Sequence, residues 1–263
     1  MATIEVGAAE KTEFLPPPAR QGTIPRLFFV GIAIAMLVVV GLGFGRTFFL
    51  RPAYIDTPLP AYLILHGATM TAWFLLFLIQ TTLVSARRVD LHRKLGVAGI
   101  ALAVGVVVTA VVVNLNLGPR ALEAGIIPRL EDAVGFALDS LSSLIPFIVL
   151  VSLAVMLRRD PNLHKRLMFW AFAWMLGPAF AGSRPLGQFL DPLVAPLLPF
   201  FPSDLIWLAA LMAYDWRTLR RIHPATYLPF ILLFGFFMFG TPMISGNETL
   251  QNWLLSAWQD RAS

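Results

Sequence analysis

Residues 61–84 read AYLILHGATMTAWFLLFLIQTTLV, a run without aspartate, glutamate, lysine or arginine. A helix of about 20 apolar residues is long enough to cross the hydrocarbon core of a bilayer. The run lacks the strict alternation of apolar and polar residues that is typical of strands in an outer-membrane barrel. It therefore predicts a transmembrane α-helix, and the rest of the chain repeats the same pattern.

Apolar runs of this kind account for most of the chain. The predicted crossings are 27–45, 61–84, 95–117, 133–157, 167–183, 203–214 (extended back toward 198) and 227–243. The sixth is the least regular, because Pro196, Pro199 and Pro202 crowd its start and proline disrupts a helix interior. The chain has 13% charged residues, against about 25% in soluble domains. The predicted fold class is an all-α bundle of seven transmembrane helices.

Basic residues mark one face of the predicted bundle. Most of them precede the first run or lie in every second linker: Lys11, Arg20, Arg26, Arg87, Arg88, Arg93, Lys94, Arg158, Arg159, Lys165, Arg166, Arg217, Arg220 and Arg221. Because short loops rich in lysine and arginine stay in the cytoplasm, the pattern predicts a cytoplasmic N-terminus and an extracytoplasmic C-terminus. The expected location is a bacterial inner membrane, which the chain crosses several times.

Charge and composition exclude several classes of protein. Orientation in the membrane and anionic lipid headgroups explain the net charge of +5, so we expect the lipid bilayer as a partner and no nucleic acid. The absence of cysteine excludes disulfides, iron–sulfur clusters and thiol catalysis. Phosphate loops, metalloprotease pairs and serine-hydrolase elbows are also missing from the sequence. The seventh run contains no lysine, which excludes a retinal Schiff base.

The sequence divides into three parts. Residues 1–26 are predicted to be a flexible cytoplasmic tail without a cleavable signal peptide, and residues 27–243 form the membrane domain. Residues 244–263 are expected to be a short amphipathic extracytoplasmic segment. Four apolar residues there recur at helical spacing, which favours a helix lying in the outer interface: Leu250, Trp253, Leu254 and Trp258.

Polar residues in the outer half of the runs are the candidate ligand-binding residues. His66, Met70, Trp73, Phe77 and Gln80 share one face of the second helix. An ionisable side chain costs about 2.5–3.5 kcal/mol at the centre of a membrane helix, so this stripe is predicted to face the bundle interior. Residues of other runs lie at comparable depth. The predicted pocket consists of His66, Met70, Trp73, Asp139, Ser143, Trp174, Arg184 and Asp204, with Trp73 and Trp174 as an apolar floor.

Three interpretations of these residues remain open. In the structural one, Arg184 pairs with Asp139 or Asp204 and His66 bonds a neighbouring hydroxyl. In the second, the residues form a pocket that opens to the extracytoplasmic side and binds a small polar ligand, a quinone headgroup or a metal. In the third, His66 titrates against Asp139 in a catalytic or proton-relay site. The sequence assigns no catalytic residue.

The other histidines form a separate candidate site. His66 lies ~20 Å or more from them by helix rise, which excludes bis-histidine haem ligation by His66, although a methionine ligand such as Met175 or Met243 stays open. His92, His164 and His223 begin the third, fifth and seventh helices at matched depth, so they are a candidate transition-metal site. The surrounding arginines and lysines oppose a cation. The alternative is that these loops anchor to lipid phosphates, with nearby acids pairing to the arginines: Asp90, Asp160 and Asp215.

The basic loops repeat one another. SARRVDLHRKLG at 85–96 is similar to LRRDPNLHKRLM at 157–168 and, more faintly, to DWRTLRRIHP at 215–224. Together with the His-Gly…Trp…Gln pattern of 66–80, these Leu-His-Arg-x-Leu-Gly loops resemble a loosely defined group of uncharacterised bacterial polytopic membrane proteins. Some members of similar appearance have been compared with cytochrome b561-like and oxidase-assembly membrane proteins.

That resemblance implies an alternative function. The chain would be a haem- or metal-linked redox membrane protein, or an accessory subunit of a respiratory or other membrane complex. Haem b or a transition metal would then be its cofactor, and other subunits of the complex would be its partners.

Overall fold

The computed structural model describes residues 23–182 and 202–262, with side chains for 27–180 and 204–260. Residues 183–201, which include Arg184, and most of the predicted tail therefore lie outside the described residues. The described chain is helical and contains no strand. Its helices are α1 Thr23–Phe44, α2 Ala61–Ser85, α3 Val89–Leu115, α4 Leu117–Glu123, α5 Glu131–Ser142, α6 Leu144–Met156, α7 Pro161–Trp174, α8 Gly177–Gly182, α9 Pro202–Leu219, α10 Pro224–Gly235, α11 Thr241–Ser245 and α12 Glu248–Ala262. The π-helical stretches Gly45–Phe49 and Phe236–Gly240 extend α1 and join α10 to α11.

Within residues 23–182 and 202–262, five helical segments are long and apolar enough to cross a membrane. They are Leu27–Phe49, Ala61–Ser85, Val89–Leu115, Glu131–Met156 and Pro224–Ser245. They correspond to the first four predicted crossings and the seventh, so the prediction of a helical multi-pass membrane protein is confirmed at this level. The fifth predicted crossing is divided between α7 and α8, and the sixth corresponds to α9. Large apolar side chains on the outer face of α3 are exposed, Val97 by 70% among them, as expected of helices in lipid.

Prolines explain two of the helix breaks. Proline has no N–H to donate, and its ring clashes with the carbonyl four residues earlier. Before Pro146 the helix breaks at Ser143, between α5 and α6, and before Pro178 it breaks between α7 and α8. The hydroxyls of Ser142 and Ser143 donate to carbonyls three residues back, at 2.7 and 2.6 Å. Such bonds compete with the helix ladder, so the fourth predicted crossing consists of two shorter helices.

The main hydrophobic core surrounds α7. All five residues from Phe169 to Ala173 are buried, which is typical of a helix enclosed by others on every side. Phe172 is stacked between Trp73 and Phe77 of α2, with ring centroids 4.4 and 4.2 Å apart. This aromatic sandwich joins α2 to α7 at the centre of the bundle.

A second, smaller core packs the C-terminal helix against α4 and α5. Leu254 and Trp258 of α12 are fully buried, whereas Leu250 and Trp253 are exposed. The indole N–H of Trp258 donates to the carbonyl of Leu115 at 3.1 Å. Of the four apolar residues predicted at helical spacing, two therefore lie in a protein core and two lie on the surface.

Arginine occupies a left-handed position at the end of two helices. Arg87, after α2, has φ of 61°, and Arg220, after α9, has φ of 55°. At the C-terminal end of α2 the N–H of Arg88 donates to the carbonyl of Leu83 at 2.8 Å, and the N–H of Arg87 donates to the carbonyl of Val84 at 3.0 Å. This is a Schellman arrangement, in which the left-handed residue is usually glycine.

Replacing Arg87 with glycine is expected to raise the free energy of unfolding by roughly 0.5–1 kcal/mol, because a side chain in this conformation costs about 1–2 kcal/mol and part of the gain is offset by the freedom of glycine in the unfolded chain. The measurement is the midpoint of unfolding in detergent. The matched control is Arg88→Gly, which removes the same charge at φ of −89° and should destabilise. If both variants lose stability equally, the backbone at Arg87 is not strained.

Candidate functional site

His66 lies in the second turn of α2 and faces α3. Its Nδ1 is 3.1 Å from the hydroxyl oxygen of Thr109. That hydroxyl donates its proton to the carbonyl of Gly105 at 2.8 Å, so Nδ1 donates to Thr109 and Nε2 is left as an acceptor. The imidazole is half-buried. In the structural interpretation given above, His66 likewise bonds a neighbouring hydroxyl.

Trp73 lies two turns further along the same face of α2. Its side chain is only 1% exposed, and its ring is stacked on Phe172 and meets the edge of Phe147 at 5.4 Å. Met70, between His66 and Trp73, is half-buried against the same core. The predicted stripe of α2 thus faces other helices.

The side chain of Trp174 is hydrogen-bonded to the main chain of Ser143. The indole N–H of Trp174, at the end of α7, donates to the carbonyl of Ser143 at 2.8 Å. Ser143 lies at the break between α5 and α6, where a carbonyl is free to accept such a bond. These two predicted pocket residues are therefore brought together, and they connect α7 to the broken fourth crossing.

The predicted acidic residues lie on two different helices. Asp139 of α5 is exposed, and Asp204 in the first turn of α9 is half-buried. The predicted ion pairs with Arg184 fall outside the described residues. The structure thus places four of the eight predicted pocket residues in three helix–helix contacts, those of His66 with Thr109, Trp73 with Phe172, and Trp174 with Ser143.

Several buried polar atoms have no hydrogen-bond partner among the described residues. They include the indole nitrogens of Trp73 and Trp207 and the side-chain oxygen of Asn114, in residues that are all at least 95% buried. Leaving a buried donor or acceptor unpaired costs about 1–3 kcal/mol, and such groups are rare in native proteins. Trp207 lies three residues after Asp204, on the same face of α9. At these positions the bundle has buried donors and an acceptor to which another molecule could bond.

The opposite end of the bundle carries a buried ion pair. We define the basic end as the end where the turns 86–88, 158–160 and 220–223 lie. There the guanidinium of Arg166 in α7 donates to the carboxylate of Asp215 in α9, and both side chains are fully buried. Thr226 of α10 donates its hydroxyl to the same carboxylate and accepts from Nε of Arg166 at 3.1 Å.

Further bonds complete this network, which joins α7, α9 and α10. The backbone N–H of His223 donates to Asp215 at 2.9 Å, and the indole N–H of Trp170 donates to the carbonyl of Thr226 at 3.0 Å. Among the acids expected to pair with arginines, Asp215 does so in the interior and Asp90 pairs with Arg88 at the surface, at 3.5 Å. Asp160 instead caps the N-terminus of α7.

The three candidate metal-ligating histidines do not form one site. The rings of His92 and His164 lie perpendicular, with centroids 6.1 Å apart. His223 caps α10 instead: its Nδ1 accepts from the N–H of Ala225 at 3.1 Å. Burial and the charge of Arg166 lower the pKa of His223, which favours this neutral, accepting form. Among the described residues no three histidine, aspartate or glutamate side chains are placed to hold a metal ion, so the predicted three-histidine arrangement is corrected.

The sequence does not reveal which partners the buried polar groups bond on other helices. Thr109 and Thr226 look like ordinary residues of apolar helices, and only their positions in the bundle show that they bond His66 and Asp215. Trp207 carries no special sequence pattern beyond its spacing from Asp204. Comparison of the chain with family models, curated proteins and solved structures gave no match, so the sites rest on the chain's own residues.

Proposed function

We propose that the protein is a seven-crossing membrane protein of the bacterial inner membrane that binds a small polar ligand inside its helical bundle. In this proposal the N-terminus and the basic end are cytoplasmic, the C-terminus is extracytoplasmic, and α7 with α8, and α9, provide the two crossings beyond the five long ones. Support comes from the concentration of arginine and lysine in every second linker.

The buried indole of Trp73 carries the proposal. It lies on the face of α2 that was predicted to line the pocket, and its N–H has no acceptor among the described residues. A ligand oxygen would satisfy this donor at the position where leaving it unpaired is most costly. The rings of Phe172 and Phe147 beside Trp73 would supply the apolar walls of the site.

Other polar groups of the bundle favour a ligand with several hydrogen-bond acceptors. Trp207 offers a second buried N–H without an acceptor. Ligand sites are largely apolar with a few convergent polar groups, and this composition suits the carbonyl oxygens and ring of a quinone headgroup. His66, whose Nε2 is an acceptor, would bind a hydroxyl of the reduced form.

Substitution of Trp73 tests the proposal. Isothermal titration of the detergent-solubilised protein with ubiquinone-1, a short-chain quinone, should show binding to the wild type. Trp73→Phe keeps the aromatic ring and removes the N–H, so it should weaken the affinity about tenfold, equivalent to one lost hydrogen bond of about 1.4 kcal/mol.

The matched control is Trp253→Phe, at an exposed tryptophan of α12, and it should bind like the wild type. Absence of binding to the wild type would contradict the quinone form of the proposal. Equal affinity in the Trp73→Phe protein would contradict the role of its indole.

A further inference from the structure

Two histidines occupy equivalent positions at the basic end. His92 is the fourth residue of α3 and His164 is the fourth residue of α7, a consequence of the internal repeat in the two loops. Their rings lie perpendicular to each other, with centroids 6.1 Å apart. The third copy of the repeat differs, because His223 precedes α10 as its cap.

The ring of His164 is oriented as a metal ligand usually is. Its Nδ1 lies 2.8 Å from the carbonyl oxygen of Ala154. A carbonyl can only accept, so Nδ1 carries the proton and Nε2 presents a lone pair. Metal-ligating histidines almost always donate their other N–H to a carbonyl or carboxylate in this way.

Two further atoms near this ring lack partners. Nδ1 of His92 and the side-chain oxygen of Gln80 are buried, and neither has a hydrogen-bond partner among the described residues. The side chain of Gln80 lies beside the same face of α3 as His92. Gly96 is one turn after His92 on that face, and a Cβ built there would stand 3.9 Å from the amide nitrogen of Gln80. The pattern therefore leaves acceptor capacity on both imidazoles and on the amide oxygen of Gln80, the residue beside His92.

The ring separation fits a shared ion. A metal–nitrogen bond of about 2.0 Å and a distance of ~1.2 Å from ring nitrogen to ring centre put each centroid ~3.2 Å from the metal. Two imidazole ligands of one ion then have centroids ~6.4 Å apart in a linear arrangement and ~5.2 Å apart at the tetrahedral angle. The observed 6.1 Å lies between these two values.

We propose that His92, His164 and the side-chain oxygen of Gln80 bind one transition-metal ion, Zn²⁺ or Cu²⁺, at the basic end of the bundle. Imidazole nitrogen suits both ions, and the remaining coordination position is left for water or an exchangeable ligand, as in catalytic metal sites. This site is separate from the proposed pocket at Trp73 and does not depend on it.

The surrounding charge predicts an unusual salt dependence. Arg93 and Lys94 follow His92 directly, and Lys165 follows His164. Their positive field repels a cation, and salt screens that field over a Debye length that shrinks from about 30 Å at 0.01 M to about 10 Å at 0.1 M. Metal affinity should therefore rise with ionic strength, whereas a site built from carboxylates would lose affinity.

Metal loading of the full chain tests the proposal. The protein is purified with a histidine-free tag, stripped with a chelator, incubated with Zn²⁺ or Cu²⁺ and desalted, and the bound metal is measured by mass spectrometry. We expect one ion per chain, at least tenfold lower occupancy in His92→Ala and His164→Ala, and unchanged occupancy in the matched control His223→Asn, which retains a capping side chain. Equal occupancy in all variants, equal loss in His223→Asn, or weaker binding at higher salt would contradict the site.

If a variant does not fold, spectroscopy of the wild-type protein tests the same metal site. The electron paramagnetic resonance spectrum of the Cu²⁺ protein should show coupling to two imidazole nitrogens. Coupling to one nitrogen or none would overturn the assignment. A haem absorption band that is lost in both His92→Ala and His164→Ala would also overturn it, because the histidine pair would then belong to a haem.

Discussion

Replacing Arg166 with methionine is expected to lower the free energy of unfolding by about 3–5 kcal/mol, the usual cost of removing one partner of a buried ion pair. The substitution would leave the carboxylate of Asp215 fully buried without its cation, and Thr226 and the His223 amide would be its remaining donors. The measurement is the midpoint of denaturant-induced unfolding of the protein in detergent micelles.

Two controls separate loss of the charge pair from other effects. The double variant Arg166→Met with Asp215→Leu removes both charges and should recover much of the lost stability, because an apolar replacement of a buried pair is often close to neutral. Arg129→Met breaks the exposed pair with Asp132, at 3.3 Å, and should cost less than about 1 kcal/mol. If Arg166→Met costs no more than Arg129→Met, the network at the basic end does not hold α7, α9 and α10 together.

Replacing Gly43 with alanine is expected to have the second largest effect, a loss of about 1–3 kcal/mol or more from overpacking. A Cβ at this position would stand 2.2 Å from the carbonyl oxygen of Ala179 and 2.7 Å from its Cα. Both atoms belong to the main chain of α8, so no rotation of a side chain relieves the clash. Only separation of α1 from α8 makes room, which loses the close contact that small residues allow between membrane helices.

The matched control lies two residues away on the same helix. A Cβ at Gly41 meets nothing within 4 Å, so Gly41→Ala should leave stability unchanged or raise it by up to about 1 kcal/mol through helix propensity. Thermal unfolding in detergent measures both variants. Equal melting temperatures for the two alanine variants would show that α1 and α8 are not in close contact at Gly43.

Long apolar runs could be recognised from sequence because each crossing must satisfy its own backbone and its own length. The α2 segment Ala61–Ser85 differs by one residue from the run predicted at 61–84. The break at Ser143 was harder to place, because proline is common in membrane helices. Whether Pro146 breaks the helix depends on which groups bond the backbone carbonyls that it leaves without a donor. The division of the fifth crossing between α7 and α8 has the same cause at Pro178.

Side-chain partners could be predicted only in part, because they depend on which helices are neighbours. Helical periodicity placed Trp73 on the inward face of α2, and its burial agrees with that prediction. Periodicity could not reveal that Phe172 is its stacking partner or that Thr109 bonds His66. For the histidines, the structure brings His92 and His164 within 6.1 Å of each other, whereas Nδ1 of His223 accepts from Ala225 at the start of α10. Matched positions in the sequence could not reveal that difference.

The most direct test of the proposed function is an experimental density map of the bundle around the indole nitrogen of Trp73, recorded with ubiquinone-1 present. The account predicts non-protein density within about 3 Å of that nitrogen, in contact with the aromatic rings beside it. A map in which a side chain of the same protein accepts the indole N–H, with no room for another molecule, would contradict it.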